Sequence, residues 1–257
     1  MFPLLLAAVA VTDSEALLQL IADSQEKALE ARKTIVYRQE IHAKLIRANG
    51  ELARQERYVY QVTPTPAGTE KKLVEFEGSY AKDGKMIPYS APGFEHKGVD
   101  IDAELIKDLV DDLVSDESSR DGIASDLFPL TAAEQKKYRF RIAGNRLEFE
   151  PSGKSTPWRG EMEVNPADGQ PRSVVTKMAR RVPAWARITL GTNFQQVGFS
   201  VKYQRAVDEL WFPVSYGTEF KFRVLFGYAR TFTLSVVNSD FRKASAESTI
   251  RYEEVEP

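Results

Sequence analysis

Two histidines stand beside carboxylates in this chain, at Glu40/His42 and at Glu95-His96, and a histidine held by a carboxylate is the usual general base of hydrolytic chemistry. Glu40 and His42 are two apart, so on a strand they share a face, and that face is the charged one. Glu95 and His96 are adjacent and point apart on an extended chain. Both histidines therefore read as surface residues. Asp108, Asp112 and Asp116 recur every fourth residue, which stacks them on one face of a helix with Asp111 and Glu117 nearby. Stacked carboxylates attract calcium, but the oxygen-rich loop with its turn glycine is missing, so a solvated acidic face is expected and no metal. The chain has no cysteine, which excludes disulfides, thiolate zinc sites and a thiol nucleophile; its two histidines exclude multi-histidine metal centres. No serine sits in a nucleophile elbow and no glycine run forms a phosphate loop. The expectation is a protein with no catalytic residue and no cofactor. One basic and aromatic cluster stands out: Lys177, Arg180, Arg181, Trp185 and Arg187. Such a group suits anionic headgroups or an acidic partner, and an ordinary exposed loop is the plainer reading.

Two helices and a long series of strands must position these residues. Thr12 and Glu15 form a capping box, after which Leu17, Ile21, Ser24, Ala28 and Ala31 recur at helical spacing; a helix is predicted over Ser14–Arg32. A second is predicted over Asp102–Asp116, capped by Asp102, with Ile101, Leu105, Leu109 and Leu113 in one row and Ile106, Val110 and Val114 in the next. Elsewhere the period is two. Ile35, Tyr37, Ile41, Ala43 and Leu45 alternate with Arg38, Glu40, His42 and Lys44, and Asn49-Gly50 predicts a type I′ hairpin. The return strand carries Tyr58, Tyr60 and Val62; Lys71 to Tyr80 reads as a third strand, Asp83-Gly84 as a turn, and Met86 to Val99 as a loop. Alternation resumes at Tyr138, Phe140 and Ile142 and continues through Trp158, Val174, Phe199, Phe222 and Phe232 to Val236.

Two helices of this length cannot cover about ten strands with apolar inner faces, and broad twisted sheets curl. The predicted fold is α+β, mainly antiparallel β: a curved half-barrel sheet of about ten strands with two covering helices, forming one domain over residues 11–257. Its concave face would present Tyr37, Ile41, Tyr60, Phe140, Phe199, Tyr203, Phe222 and Phe232 to a cavity. Residues 1–10 read as a signal peptide, since Phe2 to Val11 is apolar and ends in the small-x-small Ala8-Val9-Ala10. The n-region lacks the usual cation. The expected location is the periplasm or another exported compartment. A net charge of −2 argues against a nucleic-acid partner.

An exported helix, a long Asn-Gly hairpin, a covering helix and a continuous antiparallel meander together resemble the periplasmic lipoprotein-carrier superfamily, which includes outer-membrane lipoprotein-sorting proteins. An acidobacterial-type exported branch is similar in Phe128-Pro129-Leu130-Thr131 before Tyr138-Arg139-Phe140, in Phe149-Glu150-Pro151, and in Trp158-Arg159-Gly160 leading to Asp168-Gly169-Gln170-Pro171. Leu210-Trp211-Phe212-Pro213 and Ser239-Asp240-Phe241-Arg242-Lys243 fit the same branch. The resemblance implies an apolar concave face that binds acyl chains, and it transfers no catalytic residue. The leading expectation is thus a monomeric, non-enzymatic carrier of a lipid or lipidated protein, with peripheral membrane contact through the basic cluster. The alternative is a sensory or structural envelope module that binds a protein partner through a sheet edge or the basic loop. A solvent-open apolar cavity favours the carrier and a filled core favours the module. Paired buried carboxylates would point instead to an enzyme acting on envelope lipids.

Overall fold

The computed structural model describes residues 4–65, 69–96, 98, 100–114, 130–153, 158–178, 195–208, 210–223 and 228–244. Its strands are β1 (Ile35–Arg47), β2 (Leu52–Pro64), β3 (Thr69–Lys82), β4 (Lys85–Tyr89), β5 (Tyr138–Ala143), β6 (Arg146–Pro151), β7 (Trp158–Val164), β8 (Pro171–Met178), β9 (Gln195–Arg205), β10 (Trp211–Arg223) and β11 (Ala229–Lys243). The helices are α1 (Leu4–Arg32), α2 (Ile101–Val114) and the short α3 (Ala132–Gln135). All eleven strands lie in one antiparallel sheet, ordered β4-β3-β2-β1-β11-β10-β9-β8-β7-β6-β5. Two meanders are fused where the first strand meets the last, with Ile35 opposite Lys243 at one end and Arg47 opposite Arg230 at the other.

The half-barrel is not formed. The sheet is open, with β4 and β5 as its edges among the described residues, and it is not strongly curled. The reason lies in how the helices run. Leu18 O of α1 accepts from Gln135 Nε2 at 3.0 Å, beside β5, and Ser24 O accepts from Gln170 Nε2 at 2.9 Å, before β8. Arg32 donates through Nε and Nη2 to Trp211 O of β10, at 3.0 and 2.9 Å. So α1 crosses the strands instead of following them. From Leu18 to Arg32 it rises about 21 Å, and the five strand spacings from β5 to β10 take about 24 Å. α2 covers the other wing, where Ile106 and Val110 join Ile41, Leu45 and Phe232 in the same buried cluster as Ile21 of α1. Helices laid across strands cover far more of them than parallel ones, and the apolar surplus that would have forced curling disappears.

Several local expectations are also corrected. α1 starts at Leu4, so Thr12 lies inside it and not at its start; the Leu- and Ala-rich run ahead of it is good helix-forming sequence. Asp102 is not the α2 cap. Asp100 is, accepting from Ala103 N at 3.2 Å through Oδ1. At Asn49-Gly50 only Gly50 has positive φ (89°), and Gly50 N donates to Arg47 O at 2.9 Å, so the turn is wider than type I′. Asp83-Gly84, with φ of 51° and 73°, has the double positive φ of the I′ form. β4 occupies sequence read as loop because Pro88 masks it; a proline is tolerated there since β4 is an edge. Among the described residues, no helix is long and apolar enough to cross a membrane.

Candidate functional site

The two faces of the sheet differ in kind. Cross-strand register places Glu56, Ala43, Leu234, Thr218, Phe199, Thr176, Gly160 and Phe149 in one inward row. The neighbouring outward row is Arg57, His42, Ser235, Gly217, Ser200, Val175, Glu161, Glu148 and Arg141.

On the inward face, the residues expected to line a cavity are packed. Ile41, Phe199, Tyr203 and Phe232 are buried in the main cluster, and Tyr60 and Phe140 are half-buried against it. Phe199 is edge-on to Trp158 at 4.9 Å and stacked with Tyr216 at 6.1 Å. Tyr37 belongs to a separate small cluster with Ile35, Val62 and Phe212, its ring 4.9 Å from that of Phe212. Burial, followed by the nearby carboxylates of Asp111 and Glu56, pushes the Tyr60 phenol up to about 12. The Phe222 side chain lies outside the described residues.

The inward face also holds a polar cluster that the sequence reading missed. Arg54, fully buried, donates to Glu56 Oε1 at 2.9 Å, to Asp100 Oδ2 at 3.1 Å and to Phe94 O, and its guanidinium stacks 4.6 Å from the centre of the Tyr89 ring. Tyr89 OH donates to Glu56 Oε1 at 2.5 Å, and Tyr58 OH donates to Glu56 Oε2. His96 Nδ1 sits 2.6 Å from Asp100 Oδ2, and its ring stacks on Tyr80. Burial opposes ionisation of Asp100, but hydrogen bonds from the His96 backbone and ring and from Ala103 N–H outweigh it and hold the carboxyl below its ordinary value. Burial first, then Glu56, drives the Tyr58 phenol upward. Every carboxylate oxygen here has a donor from the chain: Glu56 is held by an arginine and two tyrosines, and Asp100 caps α2. These are the paired buried carboxylates that would have pointed to catalysis, yet their lone pairs fasten α2 to β2. Asp102 fastens α2 to β11, taking Arg230 Nε and Nη2 at 2.9 and 3.0 Å. The missed signal was parity, since Arg54 and Glu56 occupy the same inward alternation as Tyr58, Tyr60 and Val62.

The outward face is polar. Glu40 and His42 do share it, 2.7 Å apart, and Arg57 grips the same carboxylate at 2.8 and 3.2 Å. That hydrogen bond from Arg57, against a smaller burial penalty and helped by His42, lowers the Glu40 carboxyl to about 2. A depression of 760 Å³ lies at this wing, lined by His42, Lys44, Gln55, Arg57 and Glu77 and also by the apolar Ala43, Phe76, Pro88 and Tyr89. A second, of 580 Å³, lies over β5–β8 among Arg139, Arg141, Glu148, Glu150, Arg159 and Lys177. Arg141 reaches Glu148 at 3.0 Å and Arg159 lies 3.9 Å from Glu150. Among the described residues, Arg139 and Lys177 have no carboxylate within ion-pair distance. Between the wings runs a belt of small side chains, Ser235, Gly217, Ser200 and Ser215, with Val237 45% exposed.

Of the basic cluster, Lys177 is exposed on this outward face at the end of β8, whereas Arg180, Arg181, Trp185 and Arg187 lie outside the described residues. His96 takes its carboxylate from Asp100, not from adjacent Glu95. Asp108 and Asp111 are exposed, with Asp111 bound to Lys107 at 3.0 Å; the Asp112 side chain, Asp116 and Glu117 lie outside the described residues. Among the described residues no group of three His, Asp or Glu side chains could hold a metal ion.

No protein-family model matches this chain, and no functionally curated protein matches it. The lipoprotein-carrier resemblance thus stands on the quoted motifs alone. Among solved structures, the acyl-CoA thioesterase II TesB2 from Mycobacterium marinum is 11% identical with a TM-score of 0.14, over 83% of this chain and 82% of that one. A protein assigned as a thioesterase II from Thermobifida fusca YX is 8% identical with a TM-score of 0.13, over 78% of each chain. At these scores neither likeness bears on fold or activity.

Proposed function

We propose that this protein is a non-enzymatic module of the cell envelope that binds a protein partner through the side of its sheet that no described helix covers, with the helical layer serving as structure. The observation that carries the reading is the asymmetry of the two faces. Tyr37, Ile41, Tyr60, Phe140, Phe199, Tyr203 and Phe232 all lie in clusters packed by the chain's own side chains. The opposite face carries charge and small residues, with a charged depression over β5–β8, while the depression at β1–β4 mixes charged and apolar lining. A lipid carrier needs the reverse, an apolar surface with room for an acyl chain, because each buried CH₂ contributes about 0.8 kcal/mol. The exposed Arg139, Arg141 and Arg159 and the 45% exposed Val237 on that face instead suit a protein partner, since protein interfaces are enriched in arginine and rimmed by polar groups. The envelope location rests on the apolar Phe2–Val11 run and Ala8-Val9-Ala10.

Native mass spectrometry of the full chain purified from cell envelope separates the two readings. The module reading expects the chain mass alone or with a protein bound. A stoichiometric lipid mass on the chain would overturn it and restore the carrier.

A further inference from the structure

We infer that the β5 edge takes up an extended acidic strand of the partner as a twelfth strand of the sheet, an inference that rests on the module reading above and adds its docking edge and the partner's chemistry. β5 is terminal: it pairs with β6 on one side, and among the described residues no strand pairs with the other. The outward backbone N–H and C=O groups of a terminal strand are a template for another chain. The two edges of the sheet are not equivalent. β4 is five residues long and contains Pro88, which removes a donor. β5 is six residues, Tyr138 to Ala143, with no proline.

The side chains of β5 specify what would fit. Phe140 and Ile142 face inward but stay half-buried, because the apolar rows they end have no neighbour beyond β5. An added strand with apolar residues at alternate positions would complete those rows. The outward positions are Arg139 and Arg141, and Lys136 and Lys137 precede the strand, so Lys136 to Arg141 carries four cations and no carboxylate. Lys137 is engaged by Glu134 at 2.6 Å and Arg141 by Glu148, although Arg141 remains 85% exposed. Arg139 lacks an ion-pair partner among the described residues even though Glu150 stands opposite it in register. Cross-strand pairs favour opposite charges and penalise like ones. A second copy of β5 laid antiparallel on the first would set Arg139 against Arg141, so self-pairing is disfavoured. The complement is a strand alternating acidic and apolar residues.

The probe is a labelled peptide of about nine residues alternating glutamate and valine, long enough to span an average strand, with a lysine–valine peptide as its counterpart. Fluorescence anisotropy reads affinity, and hydrogen exchange of the full chain reads location. Slowed exchange at Tyr138–Ala143 is expected with the glutamate peptide and not with the lysine peptide. Arg139→Glu/Arg141→Glu should weaken the glutamate peptide about tenfold or more. The same variant should gain the lysine peptide, and that exchange of preference shows that β5 is still formed. Binding of the glutamate peptide without β5 protection, no binding at millimolar peptide, or dimerisation through β5 each overturns the assignment. The module reading then stands or falls separately on the lipid measurement above.

Discussion

Gly169, in the β7–β8 turn, lies directly against the backbone of Leu20 in α1: a Cβ placed on it would stand 2.7 Å from the Leu20 carbonyl oxygen. Its neighbours complete the contact. Asp168 O accepts from Ser24 Oγ, Gln170 Nε2 donates to Ser24 O, and Trp211 Nε1 donates to Asp168 Oδ2 at 3.2 Å. This turn fixes the angle at which α1 crosses the sheet. Gly169→Ala meets both the clash and a φ of 68°, and should cost about 1–3 kcal/mol in urea unfolding. Gly50→Ala, at φ 89° but in open space, should cost only the strain, about 1 kcal/mol. Equal losses would mean that Gly169 is not a docking contact.

The Arg54 cluster gives a larger effect. Arg54→Met leaves Glu56 and Asp100 buried without their counter-charge and should destabilise the fold by about 3–5 kcal/mol. Lys107→Met, which removes the exposed pair with Asp111, should stay within about 0.5 kcal/mol. Thermal melts of the two variants measure the contrast; similar shifts would contradict the structural role of the buried cluster.

Acid should act through the outward face. Glu40 titrates near 2 in the folded protein, below its ordinary 4.5. Its stabilisation is therefore complete above pH 4.5 and lost as the pH falls through 2. Solvent screening keeps it small, about 1 kcal/mol. Glu40→Gln should be less stable than the parent at pH 6 and equal to it near pH 2. A difference that persists at pH 2 would assign the effect to packing.

Export is tested by N-terminal sequencing of the chain produced in a bacterial host. Cleavage near Val11 would leave intact the part of α1 that packs on the core, Leu17, Leu18, Ile21, Ala22 and Ala28. The expected product starts near Val11 in the extracytoplasmic fraction. Intact Met1 in the cytosol would contradict it.

Much of the strand layout was legible because alternation is a local property. The β1 row of Tyr37, Ile41, Ala43 and Leu45 is inward in the fold as in the sequence, and Asp83-Gly84 turns as its residue types require. The direction of α1 was not legible, since it depends on Leu18, Ser24 and Arg32 meeting residues more than a hundred positions away. That single unknown turned a correct strand alternation into an incorrect half-barrel. Likewise, whether Asp100 or Asp102 caps α2 is decided by where Arg54 and Arg230 stand on two distant strands. The open β5 edge was invisible for the same reason, because which strand ends a sheet is a matter of topology.

The central claim is that partners meet the side of the sheet that no described helix covers, and positional photo-cross-linking tests it most directly. A photoreactive residue at Ser200 or Ser235, both exposed on the outward face, should capture a protein in cells producing the full chain. The same residue at Glu26 or Lys27, exposed on the helical layer, should capture none. Protein adducts from the helical positions with none from Ser200 or Ser235 would contradict the account.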